Sequence, residues 1–562
     1  MNNRITAWLN CEQVSIKDRE TITKASLEER NLMFGKELTL SHGLLQGPSL
    51  PGSNCVNVIN AKRATLSFMK LMKREYPDQR LSFVVSSDQR KGSVLIASEI
   101  IKLLLSSGID VYADRDPHPS NALALALEQT HAYGIIQVRT STEITSYEEI
   151  VFYQRDGVRL NQKEVEEFNQ IYSSLPFDCK IEEKKEKGSL FYFDQTKDFD
   201  NSYLSYVDHV SPYHSYFCGE RLIRPLVTVQ GGSLAKLVYL LKKEHGYPLT
   251  FVDGQDYFSK EEPTSCLDPV DLRSFEEARK QFDERRKVGE KINLIFNLDP
   301  SGEKVSLAYL NRKGELSFLN SEEMALLLIS FSLETMQRNK TLRPNYEILC
   351  TPSHSASIDN IASYHHVRVR ETGNSFASIS KELENLSKEK QMLLLGYDSK
   401  GRYLLSRKMR EADGMGTMSY LLDMAEYYQR QGKTLDLVLE SLFNKYGYFK
   451  RGESVISLEG KKKSLFDRIK NLSFPSVGEV EVLEKYDYSS LIKTDYLLEK
   501  EEKLTLEPFS QIKLILKDSS SIRFEPISFS SVKVSYELNY DGIENVDSKE
   551  KMLIDDIIKA IK

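Results

Sequence analysis

The chain has 562 residues, a formal net charge of −6, 40% hydrophobic residues and 28% charged residues. That length suggests about four domains, and that balance suits a soluble chain able to bury real cores. The mild acidity gives no global electrostatic footprint for nucleic acid.

The six cysteines (Cys11, Cys55, Cys179, Cys218, Cys266, Cys350) are scattered without a C-x-x-C pair, so neither a zinc ribbon nor a redox pair is indicated. Unpaired cysteines suit a reducing cytoplasm. The start, MNNRITAWLN, lacks the apolar core of a secretory signal. The greasiest stretch, Met324 to Leu333, is too short to span a bilayer. The expectation is a cytoplasmic protein with no membrane contact.

From Leu81 strand and helix patterns alternate. Leu81 to Val85 reads as a strand, Ser93 to Leu105 as a helix, Ile109 to Ala113 as a strand, Asn121 to His131 as a helix and Gly134 to Val138 as a strand. Such alternation predicts a largely parallel α/β sheet. Five hydroxyl residues follow (Thr140, Ser141, Thr142, Thr145, Ser146), then the apolar strand Ile150 to Tyr153. A second run has strands at Leu226 to Val229, Leu249 to Val252 and Ile292 to Phe296, with a helix at Leu234 to Lys243 and a charged helical stretch at Phe275 to Lys287. A third places helices at Glu322 to Arg338 and Ser357 to Tyr364, and strands at Tyr346 to Cys350 and Val367 to Arg370. Adjacency on a strand would send His365 and His366 to opposite sides, making them poor joint ligands. Met415 to Gly447 reads as two helices, the first opened by Gly414-x-Gly416. Lys461-Lys462-Lys463 opens an amphipathic helix and reads as a solvated face, and Gly460-Lys461 is no Walker loop. Strands at Gln511 to Leu516, Ile522 to Phe524 and Val532 to Leu538, with a helix from about Ser548, predict a separate α+β end.

The order of these segments resembles the α-D-phosphohexomutase superfamily, in its long phosphoglucomutase/phosphomannomutase branch. The best stretch is AEYYQRQGKTLDLVLESLFNKYGYF, Ala425 to Phe449, similar to that branch's helix-turn-helix segment. Trp8-Leu9-Asn10, Asp88-Gln89-Arg90, Pro117-His118-Pro119 and Ile522-Arg523-Phe524 also fit. The resemblance covers essentially the whole chain. It implies three mixed α/β domains plus a smaller C-terminal α+β domain around a central cleft, bounded here as 1–190, 191–312, 313–455 and 456–562. It also implies phosphoryl transfer between two oxygens of one sugar through a phosphoserine, with magnesium and a hexose 1,6-bisphosphate intermediate.

Four loops carry that chemistry in the family, and each is altered here. The serine loop T-A-S-H-N-P precedes Y-N-G-Y-K-V-Y, which aligns with Tyr147 to Tyr153 and puts Ser141 under the catalytic serine, with Arg90 as a surviving partner. Thr142, Glu143 and Ile144 replace histidine, asparagine and proline, and one extra residue lies between Gly134 and Ser141. The metal loop D-P-D-A-D-R becomes Asp299-Pro300-Ser301-Gly302-Glu303-Lys304, leaving Asp299, Ser301 and Glu303 as a weakened magnesium set. The sugar loop G-F-E-E-S becomes Gly396-Tyr397-Asp398-Ser399-Lys400, so Asp398, Ser399 and Lys400, with Lys304, are the expected substrate contacts. The phosphate clamp F-R-P-S-G-T-E-P-K becomes Phe524-Glu525-Pro526-Ile527-Ser528-Phe529-Ser530-Ser531-Val532, placing Glu525, Ser528 and Ser530 at that position. Two unit charges about 4 Å apart interact by about 4 kcal/mol at an effective dielectric near 20, so replacing arginine by Glu525 swings the balance against phosphate by about 8 kcal/mol per unit of phosphate charge. The first-domain G-L-R-G becomes Gly43-Leu44-Leu45-Gln46-Gly47, losing another cation.

On the residues alone, the hydroxyl-rich loop reads as a turn with local side-chain to backbone bonds, and Asp299 to Glu303 as a solvated turn. With the resemblance, the expectation is a phosphoglucomutase/phosphomannomutase-like protein of hexose phosphate metabolism, catalytically inactive or strongly impaired. It would act as a phosphosugar-binding or regulatory protein, a monomer or dimer whose partner is a related protein such as an intact paralogue, or an enzyme of sugar-nucleotide metabolism. The alternatives are an active divergent mutase working through phosphorylated Ser141 and magnesium, and another phosphosugar activity using Lys304, Lys400 and Arg402 as replacement cations.

Overall fold

The computed structural model describes residues 1–142, 144, 146–179, 183–195, 197–211, 221–255, 267–458, 463–540 and 546–561. Among the described residues the strands form four sheets, of six, five, four and eight strands. Their order along the chain gives the mixed α/β architecture with an antiparallel C-terminal sheet that the sequence predicts.

In the first sheet the strand Gly134–Thr140 is central. It pairs antiparallel with Tyr147–Gln154 and parallel with Ser82–Ser87, and every one of its residues is buried. Its apolar start, Gly134-Ile135-Ile136, fits a strand covered on both faces, and its polar residues Gln137, Arg139 and Thr140 are buried as well. Leu44–Pro48 closes one edge, and Asp110–Ala113 and Leu190–Tyr192 lie on the other. The second sheet runs Leu316–Phe318, Val305–Leu310, Leu294–Leu298, Pro225–Thr228 and Thr250–Phe251. The third runs Arg368–Glu371, Tyr346–Cys350, Met392–Tyr397 and Tyr403–Leu404. The fourth is antiparallel throughout and includes Val480–Asp487, Ile492–Asp495 and Lys500–Lys503, whose charged composition hid them in the sequence.

Two buried helices join the second and third sheets. Ser321–Arg338 starts at a capping box in which Asn320 accepts from the Glu323 N–H and the Glu323 side chain accepts from the Asn320 N–H. Gly414–Arg430 is capped by Asp413, which accepts from the Gly416 N–H. Both contribute to one large apolar core that also takes in faces of the first three sheets, whereas the fourth sheet has its own core around Leu514, Phe524 and Ile557.

Some expectations change. His365 and His366 are not on a strand. They follow the helix Ala356–Tyr364, and His366 adopts φ 57°, so they form its C-terminal turn. The short helix Leu465–Lys470 begins after Ser464, which caps it by accepting from the Asp467 N–H, so Lys463 precedes the helix. Lys461 and Lys462 lie outside the described residues. No helix among the described residues is long and apolar enough to cross a membrane.

One turn, Asp299 to Lys304, meets all three of its neighbours. The Pro300 carbonyl accepts from the Ser233 N–H, the Ser301 carbonyl from the Ser120 N–H and the Gly302 carbonyl from the Gly414 N–H. Gly302 sits at φ 73°, and a Cβ there would come within 2.6 Å of Pro119 Cβ, so the turn needs glycine for both conformation and close approach. Lys304 forms an isolated antiparallel bridge with Arg402 of the third sheet's edge.

Candidate functional site

A cavity of about 450 Å³ lies where the first three sheets converge. Its walls include Gln46, Arg139, Thr142, Glu149 and Arg159 from the first sheet region, Glu303 and Lys304 from the central turn, and Asp398, Ser399, Lys400 and Arg402 from the third. Residues from three of the four altered loops therefore meet in one place.

The cavity floor is a buried ion network. Arg139 Nε donates to Glu149 Oε2 at 2.9 Å, and its Nη1 donates to Glu303 Oε1 at 2.6 Å and to Ser120 Oγ at 2.8 Å. Arg159 Nη2 donates to the same Glu303 oxygen at 2.7 Å, while its Nε donates to Glu411 Oε2 at 2.7 Å. These five charged residues are buried. Charges removed from water are tolerable only when paired and hydrogen-bonded, which this alternation of two cations and three carboxylates achieves. Burial alone would raise the Glu303 carboxyl, but Arg139 and Arg159 hold it well below the usual carboxylate range.

Ser141 ends the central strand and is fully buried. Its Oγ accepts from Gln46 Nε2 at 2.9 Å and from the Ile144 N–H at 3.3 Å. Gln46 Nε2 also donates to Glu149 Oε1 at 2.9 Å. Among the described residues Ser141 is linked to Glu303 through Gln46, Glu149 and Arg139. Thr142 lines the cavity, and Ser141 is not among its lining residues. Glu143 and Thr145 lie outside the described residues. Arg90 is buried against Asp88 at 3.0 Å, and Asp88 Oδ2 also accepts from the Thr140 N–H at 2.8 Å, so this pair braces the strand end rather than lining the cavity.

The metal-loop residues are not in a solvated turn. Asp299, Ser301, Glu303 and Lys304 are all buried. Asp299 accepts from the Ser301 hydroxyl and, at 2.6 Å, from the Lys304 N–H. Burial and the neighbouring Glu303 push its carboxyl up to about 6. With Glu303 turned to two guanidinium groups and Asp299 to its own loop, no group of three or more His, Cys, Asp or Glu among the described residues could hold a metal ion. Magnesium needs several oxygens in near-ideal octahedral geometry, so this turn does not fit it.

The sugar-loop carboxylate is also engaged. Arg402 grips Asp398 Oδ2 through Nε at 2.8 Å and Nη2 at 2.6 Å, and Asp398 Oδ1 accepts from the Lys400 and Arg402 N–H groups. Four donors saturate the roughly four acceptor positions of a carboxylate, leaving none for a sugar hydroxyl. Ser399 Oγ accepts from Ser353 Oγ at 3.2 Å, and Lys304 Nζ lies 3.0 Å from Asp268. The clamp position is elsewhere. Glu525 accepts from Gln511 Nε2 at 2.7 Å, Ser528 is exposed in the turn beyond it, and neither they nor Ser530 line the cavity. The fourth unit instead contributes Glu507 and Phe509 to an adjoining cavity of about 430 Å³, which shares His42 and Arg159 with the first. Burial together with Arg159, Lys400 and Arg402 pushes the His42 imidazole below its ordinary value.

Sequence reasoning did not single out Arg139, Glu149, Arg159 or Glu411. The available signal was a charged residue inside each of two apolar strands, since a buried charge demands a partner.

Residues 51–177 match the family model described as phosphoglucomutase/phosphomannomutase, alpha/beta/alpha domain I. A phosphoglucomutase of Staphylococcus saprophyticus is 22% identical over 559 residues, covering 96% of this chain and 97% of its own. A solved phosphoglucomutase/phosphomannomutase family protein of Burkholderia thailandensis superposes with a TM-score of 0.66 at 14% identity, covering 93% of this chain and 96% of that one. The likeness runs through the whole chain, in one order. The fold is that of phosphoglucomutase/phosphomannomutase structures, and residues 51–177 match their domain I. More distant is the N-acetylphosphoglucosamine mutase of Aspergillus fumigatus, solved in complex with GlcNAc-6P and magnesium, with a TM-score of 0.52 at 9% identity over 94% of this chain and 97% of that one.

Proposed function

We propose that this phosphohexomutase-fold chain binds a hexose phosphate in the three-sheet cavity without interconverting its positional isomers. The observation that carries the reading is the engagement of Glu303 by Arg139 and Arg159, which takes the altered metal loop out of use. The buried, Gln46-bound Ser141 hydroxyl agrees with it, because a phosphoserine there would have to displace packed neighbours. Ligand class follows from charge. Lys36, Arg139, Arg159, Lys304, Lys400 and Arg402 line the cavity against Glu149, Glu303 and Asp398, and with Glu411 and Asp268, which pair Arg159 and Lys304, the balance is six cations to five anions in a chain that is acidic overall. Such a surplus favours an anionic ligand, and cavities of this volume suit small molecules. A regulatory action on a related protein is part of the same proposal.

The deciding experiment incubates the full chain with glucose 1-phosphate, magnesium and catalytic glucose 1,6-bisphosphate, and assays glucose 6-phosphate. No turnover is expected, together with saturable binding of glucose 6-phosphate by calorimetry. Turnover that Ser141→Ala abolishes would establish the active, divergent mutase instead.

A further inference from the structure

Each arginine at the cavity has one end of its fork fixed and one nitrogen left over. Arg139 uses Nε and Nη1, Arg159 uses Nε and Nη2, and Arg402 uses Nε and Nη2. Among the described residues Arg139 Nη2, Arg159 Nη1 and Arg402 Nη1 have no hydrogen-bond partner and are not buried, and all three residues line the cavity. By contrast, the Nε of Arg90, away from the cavity, is both buried and unpartnered. Three guanidinium groups with fixed bases therefore line one cavity.

Position sharpens the point. Arg139 lies two residues before Ser141 and bridges a first-sheet carboxylate, Glu149, to the metal-loop carboxylate, Glu303. A cation joining the serine strand to the metal loop is what a divalent ion would otherwise provide. Guanidinium does it with a permanent charge that no chelator removes, and its planar fork matches phosphate oxygens.

We propose that Arg139 replaces the divalent cation, so that the cavity recognises a phosphate ester through Arg139, Arg159 and Arg402 without metal and excludes metal from the Glu303 carboxylate. This rests on the phosphosugar reading given above.

The test titrates glucose 6-phosphate into the full chain by calorimetry, in magnesium and in EDTA, and separately titrates the ligand-free chain with manganese, read by electron paramagnetic resonance. The expected result is the same dissociation constant in both buffers and no stoichiometric manganese. Arg139→Lys, which keeps the charge and loses the fork, is expected to weaken binding about tenfold in both buffers, the scale of one charge-assisted hydrogen bond. Should that variant fail to fold by circular dichroism, the wild-type titrations decide alone. Binding that needs magnesium, or one tightly held manganese per chain, overturns this inference and leaves the proposed function standing. An absence of binding in either buffer overturns both.

Discussion

Arg139 Nη1 lies 2.6 Å from Glu303 Oε1, joining the strand before Ser141 to the turn that carries the altered metal loop. Arg159 reaches the same oxygen at 2.7 Å. One carboxylate oxygen therefore accepts from two buried cations, each of which has a second carboxylate partner, Glu149 or Glu411.

Glu303→Gln tests how much that shared oxygen contributes. The variant leaves Arg139 paired with Glu149 and Arg159 with Glu411, so the cost is the weakening of two charge-assisted hydrogen bonds, about 1.5–3 kcal/mol each at most. The variant should unfold at clearly lower urea concentration than the wild type. Lys24→Ala, which breaks an exposed pair with Glu20, should shift the midpoint by less than about 0.5 kcal/mol equivalent.

Ser141→Ala separates structure from chemistry. The Ser141 hydroxyl accepts from Gln46, whose amide keeps Glu149 as a second acceptor after the substitution. A loss of about 1 kcal/mol in stability is expected. Glucose 6-phosphate affinity should stay within about twofold, since one net hydrogen bond is at stake and it lies outside the cavity wall. A strong loss of affinity would place the hydroxyl on the ligand.

Arg402→Lys addresses specificity. Its guanidinium grips Asp398 through two nitrogens while the residue lines the cavity. Lysine retains the charge without the fork. An approximately tenfold weaker dissociation constant for glucose 6-phosphate is expected, with little change in the far-ultraviolet spectrum.

His118→Gln carries a pH signature. His118 is buried, with Nε2 3.0 Å from Asp200 and Nδ1 3.4 Å from Asp114. Burial alone would lower its imidazole, but these two carboxylates override it and lift it to about 9. The folded value exceeds the unfolded value of 6.5, so the stabilisation is complete below about 6.5 and is lost as pH rises through about 9. The wild type should exceed the variant by roughly 3 kcal/mol near pH 6, with the gap closing by about pH 10. A gap that stays constant across that window would show that the histidine acts by packing alone.

Much of the fold was legible because its strands and helices repeat with clear periods. The central strand is the best case, since its apolar start, Gly134-Ile135-Ile136, fits a strand covered on both faces. The hydroxyl loop's position followed from the downstream run Tyr147 to Tyr153, which is a strand in register with it. The charged strands near Lys500 were not legible, because an exposed edge has no apolar side to show. The network was harder still. Register places Ser141, but it says nothing of the side chain two residues earlier or of Glu411, which lies 252 positions from the arginine it meets. The clamp loop failed for a related reason. Matching Glu525 to a family position fixes its place on a strand, yet the ladder pairs it with Lys533 and turns Ser528 to solvent, while Glu507 and Phe509 reach inward instead.

The shared oxygen of Glu303 bears on how reversible this design is. Replacing Arg139 alone would still leave Glu303 held by Arg159, and Arg159 held by Glu411. Replacing Arg159 alone would leave Glu303 held by Arg139 and strand Glu411. Every single step towards a free carboxylate leaves a buried charge with fewer partners, so freeing Glu303 would require several positions to change together.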